Sequence, residues 1–173
     1  NNPALSLEYL NKASVLAEEL NHKPLQRQIL NLRAINTKDL KEQLSTLNKL
    51  LKMQQEAGNN YGEAAVLGNI AFCYADMGAY EKAVETMKIS VKKFEEIGIK
   101  TELILAFMGL SSFNSFLGRY ETALEWTEKA YQTAVQIGKS PVGPLNQKFH
   151  LNRKNGKLSE SKKNALEAIK YVE

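Results

Sequence analysis

One cysteine, two histidines and one tryptophan are all that 173 residues hold of the types on which cross-links, metal centres and stacking sites are most often built. Cys73 alone cannot form an internal disulfide, and His22 and His150 lie too far apart in the chain to begin a cysteine–histidine metal site. No apolar run approaches the ~18 residues needed to cross a bilayer, and no basic stretch followed by an apolar one opens the chain. There is no glycine-rich phosphate loop, no HExxH and no serine, histidine and acid set in motif context. No catalytic residue, cofactor or metal is therefore expected, and no enzyme activity. Strict apolar–polar alternation with hairpin turn residues is also missing. The four prolines (Pro3, Pro24, Pro141 and Pro144) fall near helix starts, where a fixed φ and a missing donor cost little.

What is present is an ordinary core-forming composition, 43% apolar, with a mild net charge of +4. That charge permits an acidic partner but does not argue for nucleic acid. Cys73, in NIAFCYA, reads as a small buried core residue, with a reactive thiol as the alternative. Acid pairs such as Glu18 with Glu19 and Glu95 with Glu96 read as solvated helix faces. The chain starts at Asn1, so it is expected to be a piece of a larger protein. A cytoplasmic location is expected, with a periplasmic sensor segment as the alternative.

One short text is written twice. YADMGAYEKAVE, residues 74–85, returns as SFLGRYETALEW, residues 115–126, which puts Gly78, Tyr80 and Ala83 forty positions before Gly118, Tyr120 and Ala123. Gly58, Gly98 and Gly138 keep the same spacing. A fixed period of this size marks a repeat architecture. Each of these three glycines ends a stretch with apolar residues three and four apart, such as Val84, Met87, Val91 and Phe94, the pattern of an amphipathic helix closed by a residue able to take positive φ. A second helical stretch lies between one such glycine and the next. The spacing predicts helices over about 4–20, 24–35, 38–57, 61–77, 80–97, 101–117, 120–137, 142–155 and 158–172. They form one all-α domain, 1–173, divided into a partial unit 1–21 and units 22–58, 59–98, 99–138 and 139–173. The outer units fit less well: Gln43 and Ser161 stand in the alanine slot, the first full unit is three residues short, and Gly118 to Gly156 spans 38. These are either degenerate capping units or units lacking loop residues near 36–38 and 140–156.

The pattern of Tyr74, Gly78, Tyr80 and Ala83 resembles the tetratricopeptide repeat in a variant of 40-residue period, as found in bacterial signalling and regulatory proteins; Asn114 replaces the first aromatic in the next unit. The resemblance implies a right-handed α-solenoid of antiparallel helix pairs, with a concave groove lined by the first helix of each unit. Carrying the family register over places Ala65, Asn69, Phe72 and Asp76 in the groove, then Leu105, Met108, Ser112, Ser115 and Phe116, then Asn146, Gln147, His150, Arg153 and Lys154. For Met108 and Phe116 packing against the neighbouring helix is the alternative, and Trp126 is expected half-buried between units. The lysine and asparagine set with which relatives grip chaperone tails is matched only at Asn69, so that activity is not expected.

From Lys148 to Lys163 six cations (Lys148, Arg153, Lys154, Lys157, Lys162 and Lys163) face one acid, Glu160. They form a solvated cap, a landing site for acidic residues of a partner, or a nucleic-acid contact, the last disfavoured because no aromatic alternates with the charges. The resemblance implies a protein- or peptide-binding scaffold or sensor working through its concave face. A peptide-responsive sensor of transcription-regulator type and a structural spacer or self-association module are the alternatives.

Overall fold

The computed structural model describes residues 3–171, with side chains from Tyr9 onward; residues 1, 2, 172 and 173, which include the expected helix end at 172, lie outside the described residues. Among the described residues there are nine α-helices and no strand: α1 Pro3–Glu19, α2 Lys23–Asn36, α3 Leu40–Glu56, α4 Asn60–Asp76, α5 Tyr80–Glu96, α6 Lys100–Phe116, α7 Tyr120–Gln136, α8 Val142–Lys154 and α9 Leu158–Ile169. None of them is long and apolar enough to cross a membrane.

Turn chemistry sets the helix ends. Gly58, Gly78, Gly98, Gly118, Gly138 and Gly156 all have φ between +63° and +76°, and Asn21 takes the same role at φ +47°. At Gly78 the cap closes with the Gly78 amide donating to the Ala75 carbonyl at 2.9 Å and the Ala79 amide to the Tyr74 carbonyl at 2.8 Å, which satisfies two carbonyls the helix leaves unpaired. The backbone conformation, not space, calls for glycine there, since an added Cβ would meet nothing within 4 Å. The α2–α3 connection differs: Thr37 is extended, and the Asp39 carboxylate caps α3 by accepting from the Lys41 and Glu42 amides at 2.8 and 3.2 Å.

Each helix packs on the next in chain order, which makes the molecule an α-solenoid. Ala83 and Ala123 are fully buried at these crossings. Where the slot is polar, the side chain reaches the carbonyl of an earlier helix: Ser161 Oγ donates to Phe149 O at 3.0 Å and Gln43 Nε2 to Ala34 O at 3.0 Å. A polar residue in a close crossing is tolerated because its donor is satisfied. Between α6 and α7 the hydroxyls of Ser111 and Thr127 pair at 2.6 Å, and Thr127 also donates to Ala123 O at 2.9 Å.

Glu63 ties three helices together. Its carboxylate accepts from Gln55 of α3 at 3.0 Å and from Lys93 of α5 at 2.9 Å. The hydrogen bond from Gln55, then that from Lys93, holds its carboxyl below the usual glutamate range. A folded-state pKa below the unfolded one contributes stability at neutral pH that is lost as pH falls through the folded value. Glu63→Gln is expected to cost about 1 kcal/mol or less at pH 7, because the pair is partly exposed, and to flatten the loss of stability on acidification. Denaturant melts of both proteins from pH 7 to pH 3 check this; parallel pH profiles would contradict it.

The backbones of α4 and α6, and of α6 and α8, approach within 8 Å, whereas the second helices of these units stay further apart and α7 meets α9 through side chains, as in the Tyr131–Glu167 bond. The first helices therefore line the inner, concave face. The expected all-α solenoid and its helix order are what the structure shows.

Candidate functional site

The concave face is built from the last two turns of α4, α6 and α8, held in step by the loops 77–79, 117–119 and 155–157. On α4, Asn69 and Asp76 are exposed and Phe72 is 45% exposed, while Ala65 is half-buried. The Phe72 ring meets Phe113 edge-on at 5.4 Å and lies against Gly109 of α6, where an added Cβ would stand 3.2 Å from it. On α6, Leu105 projects outward at 62% exposure. Met108 is half-buried with its thioether over Gly143 of α8, so it packs on the neighbouring helix and also borders open space. Phe116 is 64% exposed, yet one face is stacked on Tyr80 of α5 with ring centroids 4.8 Å apart.

Between α6 and α8 these residues leave a cleft of 350 Å³. Met108, Phe116 and Leu151 form its apolar walls, Ser112, Ser115 and Gln147 its polar surface, and His150 and Lys154 its α8 edge. Gln147 crosses the cleft, its amide donating to Met108 O at 3.0 Å and to Ser112 Oγ at 2.9 Å, so α6 and α8 are held at a set distance. Asn146, one residue earlier, is exposed. The cleft's volume falls toward the lower end for small-ligand pockets, and an apolar lining with a few polar groups is typical of them.

Of the six C-terminal cations, Lys162 and Lys163 are exposed on α9 beside Leu166 and Tyr171, and the other four divide in two. Lys148 is spent on α7, where it pairs with Glu128 and lies 4.3 Å from the Tyr131 ring centroid. Lys157 is held by Glu121 at 2.9 Å, and this pair, with Asn155, keeps the Glu121 carboxyl below the usual range. Those two cations thus already have acid partners, so the six cations read from the sequence are not equivalent. Arg153 and Lys154 are exposed and lie over the Phe149 and Phe116 rings, at 5.7 and 5.9 Å, and Lys154 reaches Ser115 Oγ at 3.5 Å. Neither has an acid partner among the described residues, so the positive edge of the cleft is narrower than the sequence implies.

Tyr131 donates to Glu167 at 2.8 Å, and this bond, then burial, holds its hydroxyl above the ordinary tyrosine range, so it remains a donor that fixes α9 to α7. Cys73 is buried with its thiol donating to Leu40 O at 3.4 Å; burial, then the charge of Asp76, pushes its pKa up, which is opposite to what a reactive thiol needs. Trp126 is half-buried, stacked on Phe107 at 5.7 Å.

Sequence reasoning assigned no exposed apolar residues to α2. Counted back from the loop 37–39, Leu32 and Ile35 stand where Phe72 and Ala75 stand in α4, and they are 47% and 65% exposed. Alignment on that loop, not on the preceding glycine, would have found them.

Fold and groove together define an α-solenoid of tetratricopeptide-repeat type. No family model matches the chain, and no curated protein matches it. Solved structures do. A signal-transduction ATPase with numerous domains and a tetratricopeptide repeat sensor, from Pyrococcus horikoshii, superposes with a TM-score of 0.82 at 23% identity over 94% of this chain; the chain spans 26% of that protein. A repeat protein of kinesin-light-chain type from Podospora anserina, with nearly identical TPR-like repeats, superposes with a TM-score of 0.80 at 14% identity, over 98% of this chain and 86% of that one. Bacillus thuringiensis PlcR, solved in complex with the peptide PapR7 and DNA, gives 0.76 at 18% identity, over 98% and 65%. At these identities the likeness establishes the fold.

Proposed function

We propose that the chain is a peptide-binding sensor or scaffold segment of a signalling or regulatory protein. Its ligand is an extended peptide or protein tail that lays apolar side chains on Phe72, Met108 and Phe116 and brings an acidic residue to Arg153 and Lys154. The observation that carries this reading is the α6–α8 cleft, where the exposed Phe116 ring and Lys154, a cation without an acid partner among the described residues, lie side by side, with Arg153 next to Lys154 in α8. A rigid set of first helices suits a bound extended chain, since little entropy is lost in ordering the receptor. A second reading, a peptide-responsive regulator, draws support from the likeness to PlcR, whose structure contains a peptide.

Selection from a random peptide library on the immobilised chain tests the proposal. Enriched peptides should carry Asp or Glu within a few residues of an aromatic or aliphatic side chain, and should lose at least tenfold in affinity for Phe116→Ala. A selection that enriches nothing would leave the spacer reading standing.

A further inference from the structure

A second cleft, of 400 Å³, lies between α1, α2 and α3, away from the α6–α8 cleft. Its place in the solenoid makes one of its residues anomalous. Arg33 is three residues before the end of α2, the position held in α4, α6 and α8 by Cys73, Phe113 and Leu151, which are 1–3% exposed and apolar. A guanidinium thus occupies the slot that every later unit gives to its core. Arg33 donates from Nη2 to Asn11 Oδ1 of α1 at 3.0 Å, while its buried Nε has no acceptor. Arg33 is itself only half-buried, yet a charge at a position that later units give to the core, with a buried donor unused, breaks the repeat's pattern, and such breaks concentrate at functional sites.

The surroundings indicate what would use it. Ile29, Leu30 and Met53 give the cleft an apolar lining, and Lys49 and Lys52 of α3 stand at its edge. Among the described residues no acid of α1 or α2 pairs with either lysine, and Lys52 has a loose contact of 3.9 Å with Glu56 of its own helix. Two of the matching helix triplets are bridged instead, α3, α4 and α5 by Glu63 with Gln55 and Lys93, and α7, α8 and α9 by Glu128 with Lys148 and Tyr131 with Glu167. Glu18 and Glu56 also border the open cleft and would repel a multiply charged anion.

We infer that the α1–α3 cleft binds a monocarboxylate attached to a compact apolar body, with Arg33, Lys49 and Lys52 drawing in the carboxylate and Ile29, Leu30 and Met53 receiving the apolar part. That chemistry is shared by a small free amphiphile and by the C-terminal residue of a protein ending in an aliphatic side chain.

Isotope-labelled protein titrated with hexanoate, N-acetyl-leucine and N-acetyl-leucinamide distinguishes the sources. Saturable amide shifts confined to α1, α2 and α3 are expected with a carboxylate, and at least tenfold weaker binding with the neutral amide. Hexanoate binding alone identifies a free amphiphile; N-acetyl-leucine binding, with or without hexanoate, admits a chain terminus. Arg33→Met restores the apolar pattern, so it is expected to keep or raise the thermal midpoint while weakening carboxylate binding at least tenfold. Lys49→Glu with Lys52→Glu, both exposed, is expected to weaken it similarly without touching the core. No saturable shift with either carboxylate, equal shifts with the amide, or unimpaired binding by Arg33→Met would overturn the inference. The readouts sit on α1–α3, so none of these outcomes bears on the α6–α8 cleft.

Discussion

Ala123→Leu is expected to destabilise the chain by on the order of 2–3 kcal/mol, toward the upper end of what overpacking costs. Ala123 is fully buried, and one turn later Thr127 donates to its carbonyl while pairing with Ser111 of α6 at 2.6 Å. A leucine side chain has no room at this crossing without pushing α7 off α6, and that movement would also break the hydroxyl pair and leave Ser111 buried without a partner. At 2–4 °C per kcal/mol for a chain of this size, the thermal midpoint should fall by roughly 5–10 °C. Glu125→Leu, on the exposed side of the same helix, should change it by no more than about 0.5 kcal/mol. An unchanged midpoint for Ala123→Leu would mean that the alanine slot is not the close crossing of the repeat.

The second large effect concerns binding. Reversing Lys154 at the cleft edge together with its neighbour Arg153, as Arg153→Glu with Lys154→Glu, is expected to weaken a selected acidic peptide at least tenfold at 0.1 M salt and much less at 1 M. The Debye length falls from about 10 Å to about 3 Å across that range, so exposed charges lose most of their reach. Lys148 and Lys157 serve as controls: they pair with Glu128 and Glu121, and reversing them should disturb the hold of α8 and of the α8–α9 turn on α7 more than peptide affinity. Met108→Ala and Phe116→Ala act through apolar contact and should weaken binding by a similar factor at both salt concentrations. Fluorescence anisotropy of a labelled peptide over the salt range measures all of these, and a peptide indifferent both to salt and to the double reversal would remove the basic edge from the mechanism.

Glycine spacing and helical periodicity carried the fold, because each left-handed turn needs a residue without a Cβ penalty and each helix needs an apolar stripe at three and four. Asn21 makes the same left-handed turn at the end of α1 without being glycine. The site was legible only as a set of faces. Periodicity places Phe116 on the inner face but says nothing of Tyr80, which stacks on it from another helix. Likewise it places six cations near one end and cannot tell that Glu128 and Glu121 of α7 neutralise two of them. Such pairings depend on the angle between stacked helices, which no single helix encodes. Arg33 escaped notice for a plainer reason: PLQRQILNLRAIN lacks the glycine and aromatic landmarks that anchor the register in later units.

The central claim is that the inner face of α4, α6 and α8 holds a peptide. Mapping amide shifts of the isotope-labelled chain on titration with a selected peptide tests it most directly. Saturable changes should cluster at Phe72, Met108, Ser112, Phe116, His150 and Lys154, with Trp126 and Lys129 on α7 unmoved. A footprint on the second helices α5 and α7, or no saturable footprint at all, would contradict it.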